Sequence, residues 1–195
     1  MLSEGKEIIN IDESSISTTN YSRKSWSLKG IHSVSTDAIR LGNYNVIAAI
    51  SSIGRSAFVV GNGSNNQLTF MYFLLGMCSL LAKEHPDWRN RVVFLLDNAT
   101  YHKGKDCIEL FQRLKLPVFF QGPYSFRTAP VEMVFSQIKK KQLVSAEAMA
   151  ATGGSKKEIL RQLGAAISDI QMGNFKAYYG KALSGIEKNL KQEDV

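Results

Sequence analysis

The sequence predicts an α/β fold: a mixed sheet covered by helices. Three observations lead there. Apolar, β-branched runs of strand length lie at 7–12, 44–50, 56–60, 91–96 and 117–121. Segments with helical periodicity separate the last of these from one another. The resulting order is strand, two strands, helix, strand, helix, strand, helix. A meander followed by alternating helix and strand needs both antiparallel and parallel pairing, because parallel neighbours require a crossover. An apolar share of 44% and a charged share of 21% are those of a folded chain rather than a disordered one. The 195 residues suffice for one folded core with a peripheral appendage.

Each element has a local reason. EIINID at 7–12 is apolar on both faces and ends in an acid, which reads as a buried strand, and the Ser/Thr/Asn-rich 14–27 reads as an irregular connection. YNVIAAI at 44–50 and SAFVV at 56–60 flank Gly54 and predict a hairpin, followed by a turn cluster, GNGSNN, at 61–66. A helix is expected from Gln67 to Lys83, with Phe70, Phe73, Leu74, Met77 and Leu81 in the core. His85-Pro86 ends it, since proline cannot continue the ladder. RVVFLL at 91–96 is too short for a helix and runs into Asp97; 104–115 has helical spacing; PVFFQ at 117–121 reads as a strand. Pro130 suits the first position of a helix bearing Val131, Val134, Phe135 and Ile138 on one face. The tail from about 155 to 191 is amphipathic and helical, with Gly153-Gly154 as a hinge.

The formal charge of +7 is unevenly spread. Residues 1–97 carry nine Lys/Arg against eight Asp/Glu, while residues 98–195 carry fifteen against nine. A basic balance of this kind favours a polyanionic partner, nucleic acid first and an acidic membrane surface second. Cys78 and Cys107 lie in apolar stretches, outside any CxxC pair, which argues against zinc and against a disulfide framework. The N-terminus MLSEGKEIIN has no apolar run of signal-peptide length, so secretion is not expected. The stretch Leu68 to Ala82 falls short of the ~20 residues that a membrane helix needs, and it reads as a buried helix.

The chemistry is in the acids. Two apolar runs end in aspartate, Asp12 and Asp97, and a third acid, Glu132, sits in the first turn of a helix. Taken singly, each has an ordinary reading as a turn residue, a helix cap or a partner of the helix dipole. If the first and fourth strands are neighbours, however, the two aspartates come together at the sheet edge where ligands bind in α/β folds. Clustered carboxylates repel unless a cation neutralises them, and hard oxygen donors suit Mg²⁺ or Mn²⁺. Glu13 adjoins Asp12 but points to the opposite face of a strand, so it is not counted as a ligand.

Local sequence sharpens this. IDESS around Asp12, LLDNATYHKG at 95–104 and GPYSFRTAPVEMVFSQIKK at 122–140 resemble the three motifs of the mariner-type (Tc/mariner superfamily) DDE transposase catalytic domain. Those motifs are D-E-S, an apolar strand followed by D-N-x-x-x-H, and P-Y-S-P-x-x-N-P-I-E with an aromatic and a lysine beyond it. Thirty-four residues separate Asp97 from Glu132, a spacing typical of one branch of that superfamily, and SWSLKG at 25–30 is similar to its tryptophan-to-glycine segment. The resemblance runs from about residue 7 to 145. Phe126, Ala129 and Val131 depart from the pattern, standing where the family usually has proline, asparagine and isoleucine.

The resemblance implies a ribonuclease H-like fold, with a mixed five-stranded sheet flanked by helices. It implies a DDE catalytic domain over 1–150 and a helical C-terminal extension over 151–195. It implies that Asp12, Asp97 and Glu132 hold two Mg²⁺ ions, with Mn²⁺ able to substitute, and that no small-molecule cofactor is used. The implied activity is hydrolysis of DNA at transposon ends and transfer of the freed 3′-hydroxyl into target DNA. The implied partners are transposon-end and target DNA and a second copy of the chain, with no membrane. The implied compartment is the nucleus in a eukaryote, or otherwise the cytoplasm and nucleoid. Lys139 matches the family lysine, and Lys140, Lys141, Lys103, Lys105 and Arg127 are further candidates for phosphate contact, against the alternative of a solvated surface. Asn98 and His102 support the second acid; His102 either positions a phosphate or water or fastens its loop. Trp26 is expected in the core rather than stacked on a base. No helix-turn-helix is expected upstream of residue 7, and sequence-specific DNA binding is not expected of this piece alone. Two alternatives stay open. One is a catalytically silent, host-adopted derivative that binds DNA or protein; the other is a different nuclease of the same fold, such as an integrase or resolvase.

Overall fold

The computed structural model describes residues 5–17, 43–62, 65–122, 129–140, 156–171 and 175–193. The expectations for Trp26, SWSLKG, Phe126, Arg127, Lys141 and the Gly153-Gly154 hinge lie outside them.

Five strands form one mixed sheet: β1 (Glu7–Ser17), β2 (Asn43–Ser51), β3 (Ser56–Asn62), β4 (Val92–Leu96) and β5 (Val118–Phe120), in the order β3-β2-β1-β4-β5. β1 to β3 are an antiparallel meander, and β4 and β5 add in parallel beside β1. The hairpin between β2 and β3 turns at Gly54, whose φ of +102° favours a residue without Cβ. Helix α1 (Gln67–Glu84) precedes a single turn, α2 (Trp88–Arg91); α3 (Lys105–Arg113) joins β4 to β5. Then come α4 (Pro130–Lys140), α5 (Lys156–Gln171) and α6 (Phe175–Glu193). At its start, α1 is capped by Asn66, whose side chain accepts from the Thr69 amide at 3.0 Å. At its end, His85 stops it ahead of Pro86.

The sheet separates two apolar clusters. On one face, Ile9, Ile11, Ile47 and Phe94 pack with Phe70, Leu74 and Leu81 of α1, Trp88 of α2, and Cys107 and Phe111 of α3. On the other, Ile16, Val46, Ala48 and Ile50 pack with Val131, Val134, Phe135 and Ile138 of α4, and with α5 and α6 through Ile159, Leu163, Phe175 and Tyr179. The C-terminal helices thus share a core with α4 and β2. Both cysteines are buried free thiols. No described helix is long and apolar enough to cross a membrane.

Three expectations need correction. β1 does not end at Asp12; it runs to Ser17, so 14–17 are strand rather than loop. Pairing decides this: β1 meets β2 over nine positions, Ile9↔Ser51 to Ser17↔Asn43, and this ladder overrides the weak strand preference of its serines. Second, α1 is not buried all round: Leu68, Tyr72 and Leu80 are exposed at 59%, 66% and 55%, because the sheet covers only one side of it. Third, Gly61 and Asn62 extend β3 instead of starting the turn.

Candidate active site

The three acids arrive on three elements. β1 and β4 pair in parallel with a constant offset, from Glu7↔Val92 to Asn10↔Leu95. The difference is 85 residues (92 − 7 and 95 − 10), so the same register carried two residues further sets Asp12 beside Asp97 (97 − 12). Side chains alternate along β1. Ile9 and Ile11 face α1, while Ile8 and Ile16 belong to the α4 cluster, so Asp12 shares the α4 face. Glu132 enters from the first turn of α4.

Asp12 feels all of them. Its carboxyl is pushed up to about 7, chiefly by burial. A 2.7 Å bond from the Glu13 amide opposes this, and the negative charges of Asp97, Glu13 and Glu132 add to it. Asp97 is the opposite case: pairing with the His102 ring holds it below the usual carboxylate range, aided by a 2.9 Å bond from the Ala99 amide. Three carboxylates offer only oxygen donors, the set that suits a hard divalent cation, and such a cation would offset both the burial and the repulsion. Among the described residues no group of three or more His, Cys, Asp or Glu side chains stands close enough together to hold a metal ion. What links the acids here is electrostatic: the charges of Asp97 and Glu132 both reach the Asp12 carboxyl.

Beneath Asp97 lies a buried polar chain. The His102 side chain is 0% exposed and lies between two acids, Nδ1 at 2.7 Å from Asp97 Oδ1 and Nε2 at 3.2 Å from Glu13 Oε1. The Nδ1 approach is close but makes no well-directed hydrogen bond, so it acts as charge pairing. Burial pulls the imidazolium down, yet the two carboxylates prevail and push His102 up to about 9. Glu13, with a side chain 4% exposed, also accepts a 2.8 Å bond from the Tyr101 hydroxyl, and the His102 ring lies 4.2 Å from that of Phe70 in α1. With no exposed surface, the ring links the loop after β4 to β1 and α1.

The sequence model of the DDE superfamily endonuclease family matches residues 7–150. The chain belongs to that family. No curated protein sequence matches it. Among solved structures, it is similar to the mariner Mos1 paired-end complex with Mg, at 18% identity and a TM-score of 0.57, covering 90% of this chain and 51% of that one. A pre-cleavage Mos1 transpososome gives 17% and 0.53, covering 91% and 55%, and the Mos1 strand transfer complex gives 17% and 0.52, covering 90% and 54%. These likenesses establish the ribonuclease H-like fold. The chain spans about half the length of these solved relatives.

In this DDE superfamily endonuclease the remaining candidates are distributed as follows. Asn98 donates from its side chain to the Gln121 carbonyl, tying the loop after β4 to the end of β5. Lys103 and Lys105 are exposed beside that loop, and the Lys103 ammonium lies 5.1 Å from the Phe120 ring centre. Lys139 and Lys140 are exposed on the last turn of α4. Lys139 follows Glu132 by seven residues, so it lies on the same helix face, roughly 10 Å along the axis. An open groove of about 610 Å³ between β3 and α1, lined by Phe58, Tyr72, Met77 and Leu80 among others, has no acid in its wall and is not part of this site.

Glu13 is the member of this buried polar chain that pattern reading passed over. Alternation puts it on the face opposite Asp12, but gives no sign that the loop after β4 tucks a histidine against that face. Replacing Glu13 by alanine leaves the Tyr101 hydroxyl and a buried imidazolium short of a partner. A loss of about 3 kcal/mol is expected, a fall in Tm of roughly 6–12 °C for a domain of this size. Thermal unfolding by circular dichroism checks it, and a fall under 2 °C would show the chain to be peripheral to stability.

Proposed function

We propose that this chain is the catalytic domain of a cut-and-paste DNA transposase of the mariner type. One observation supports this above the others: the acids of the D-D-E pattern, the last two separated by thirty-four residues, come from β1, the end of β4 and the start of α4 into one electrostatic cluster. Asp12, Asp97 and Glu132 would hold two Mg²⁺ ions, with Mn²⁺ able to substitute. Bound there, the ions would activate a water and stabilise the leaving oxygen of a phosphodiester.

The chain's own groups do the rest. Glu13 and His102 keep the Asp97 carboxylate ionised and aimed, and Asn98 holds the loop that carries it. Lys139 and Lys140, with Lys103, Lys105 and Arg127, take the phosphates of the bound strand, a sequence-independent contact that weakens with salt. The substrates are transposon-end DNA, cut to free a 3′-hydroxyl, and target DNA, which that hydroxyl attacks. Two copies of the chain would pair two ends, a reading supported by the solved relatives' being paired-end complexes. The compartment is the one that holds the DNA, the nucleus in a eukaryote.

The test is strand transfer from pre-nicked transposon-end DNA at low salt, with Mg²⁺ or Mn²⁺, comparing wild type with Asp97→Ala. Metal-dependent joining that disappears in the variant is expected. If wild type and variant bind the same DNA and are equally inert, the catalytic reading fails and a silent, DNA-binding derivative takes its place.

A further inference from the structure

Asn10 is a polar residue in the middle of a buried strand, 1% exposed. Its side chain spends both ends of the carboxamide on other elements. Nδ2 donates to the Leu95 carbonyl of β4 at 3.1 Å, and Oδ1 accepts from the Val131 amide of α4 at 3.1 Å. The orientation is unambiguous, since only the oxygen can face an N–H and only the nitrogen a carbonyl. Its own amide donates to the Tyr179 hydroxyl at 3.1 Å.

The positions of these partners matter. Asn10 stands two residues before Asp12, Leu95 two before Asp97, and Val131 one before Glu132. One carboxamide thus touches all three segments that carry the acids. The start of α4 depends on it. Pro130 has no N–H, so the first free amide of the helix is that of Val131, a residue with 0% exposure and no water to satisfy it. Ala129, the residue before the helix, has no side-chain acceptor to cap it. Asn10 supplies that cap from the sheet.

We propose that Asn10 is the positioning residue of the acid cluster. Its carboxamide fixes where the first turn of α4 sits on the β1–β4 pair, and so fixes where Glu132 stands relative to Asp12 and Asp97. The inference rests on the metal reading above. Asn10 meets no substrate; it acts through the backbone of its neighbours.

A residue that only satisfied the core would stabilise the fold without tuning the site, so the test reads both. The variant is Asn10→Leu, close in volume but unable to make either bond. The control is Ile167→Ala, a core change on α5 in the cluster shared with α4. Mn²⁺ binding is measured by titration calorimetry, below the melting transition of every protein, alongside thermal unfolding. The expected result is a 10- to 100-fold weaker Mn²⁺ affinity in Asn10→Leu, the range for groups that orient metal ligands, with the affinity of Ile167→Ala unchanged although both melt lower. Unchanged affinity in Asn10→Leu overturns the inference and leaves Asn10 a core residue. Equal weakening in both variants also overturns it, because the loss is then general loosening. A wild type that binds no Mn²⁺ removes the metal reading, and the inference falls with it. Should Asn10→Leu fail to fold, Asn10→Ser is used instead. It keeps a polar atom but falls short of both partners, and the same outcomes decide.

Discussion

A chain ended at residue 150, where the family match stops, is expected not to fold. Ile159, Leu163, Ile167 and Ile170 of α5, and Phe175 and Tyr179 of α6, are buried in one cluster with Val131, Val134, Phe135 and Ile138 of α4. Removing one such side chain from a core costs about 2–5 kcal/mol, so losing six, about 12–30 kcal/mol, matches or exceeds the roughly 5–15 kcal/mol by which a domain is stable. Tyr179 adds a second tie. Its hydroxyl lies 2.9 Å from the Ile8 carbonyl and 2.8 Å from the Ile50 carbonyl, and it accepts the Asn10 amide, bracing the last helix against the β1–β2 ladder. The truncated chain should bind a dye for exposed apolar surface and lack a cooperative thermal transition. By contrast, Tyr179→Phe should fold and lose only about 1–3 kcal/mol. A 1–150 fragment that melts cooperatively near the full chain's Tm would mean that the extension is an appendage after all.

Asp12→Asn is expected to abolish catalysis and stabilise the protein. Several kcal/mol of transition-state stabilisation rests on a metal site, and each 1.4 kcal/mol or so is tenfold, so a loss of at least about a thousandfold in joining is expected. The stability effect has the opposite sign. The folded Asp12 carboxyl titrates at about 7 against 3.8 for an ordinary aspartate. The folded state therefore holds its proton more tightly than the unfolded chain, and stability falls as pH rises from about 4 to about 7, with the penalty complete above that. Asparagine keeps the shape and removes the charge. At pH 8, without metal, the variant should melt higher by at least about 2–4 °C, the shift that ~1 kcal/mol produces in a domain of this size. Mg²⁺ should raise the Tm of wild type and leave the variant unmoved. A variant that melts lower than wild type at pH 8 would contradict the crowded-carboxylate account.

Reading the sequence reached the elements and the acids because both are local signals. A run such as VVFLL has too few residues to be a helix, and Pro130 marks the start of α4 without help from anywhere else. The parallel neighbourhood of the first and fourth strands was a condition in that reading, and the register from Glu7↔Val92 to Asn10↔Leu95 meets it. Serines 14, 15 and 17 look like loop until nine paired positions with β2 hold them extended. Nothing near Asn10 in the chain announces Leu95, Val131 or Tyr179, its partners 85, 121 and 169 residues away.

The sequence by itself determined what this protein is made of: the order of strands and helices, the three acids and their spacing, the basic second half, and through its motifs the family. The tertiary structure decided how those acids are held. Packing on opposite faces of β1 buries His102 between two carboxylates, lets Asn10 cap a distant helix, and makes the C-terminal helices part of the core. The physical reason is range. Periodicity and turn chemistry act over a few residues, whereas a buried polar group must find its partner wherever the fold brings one within 3 Å or so.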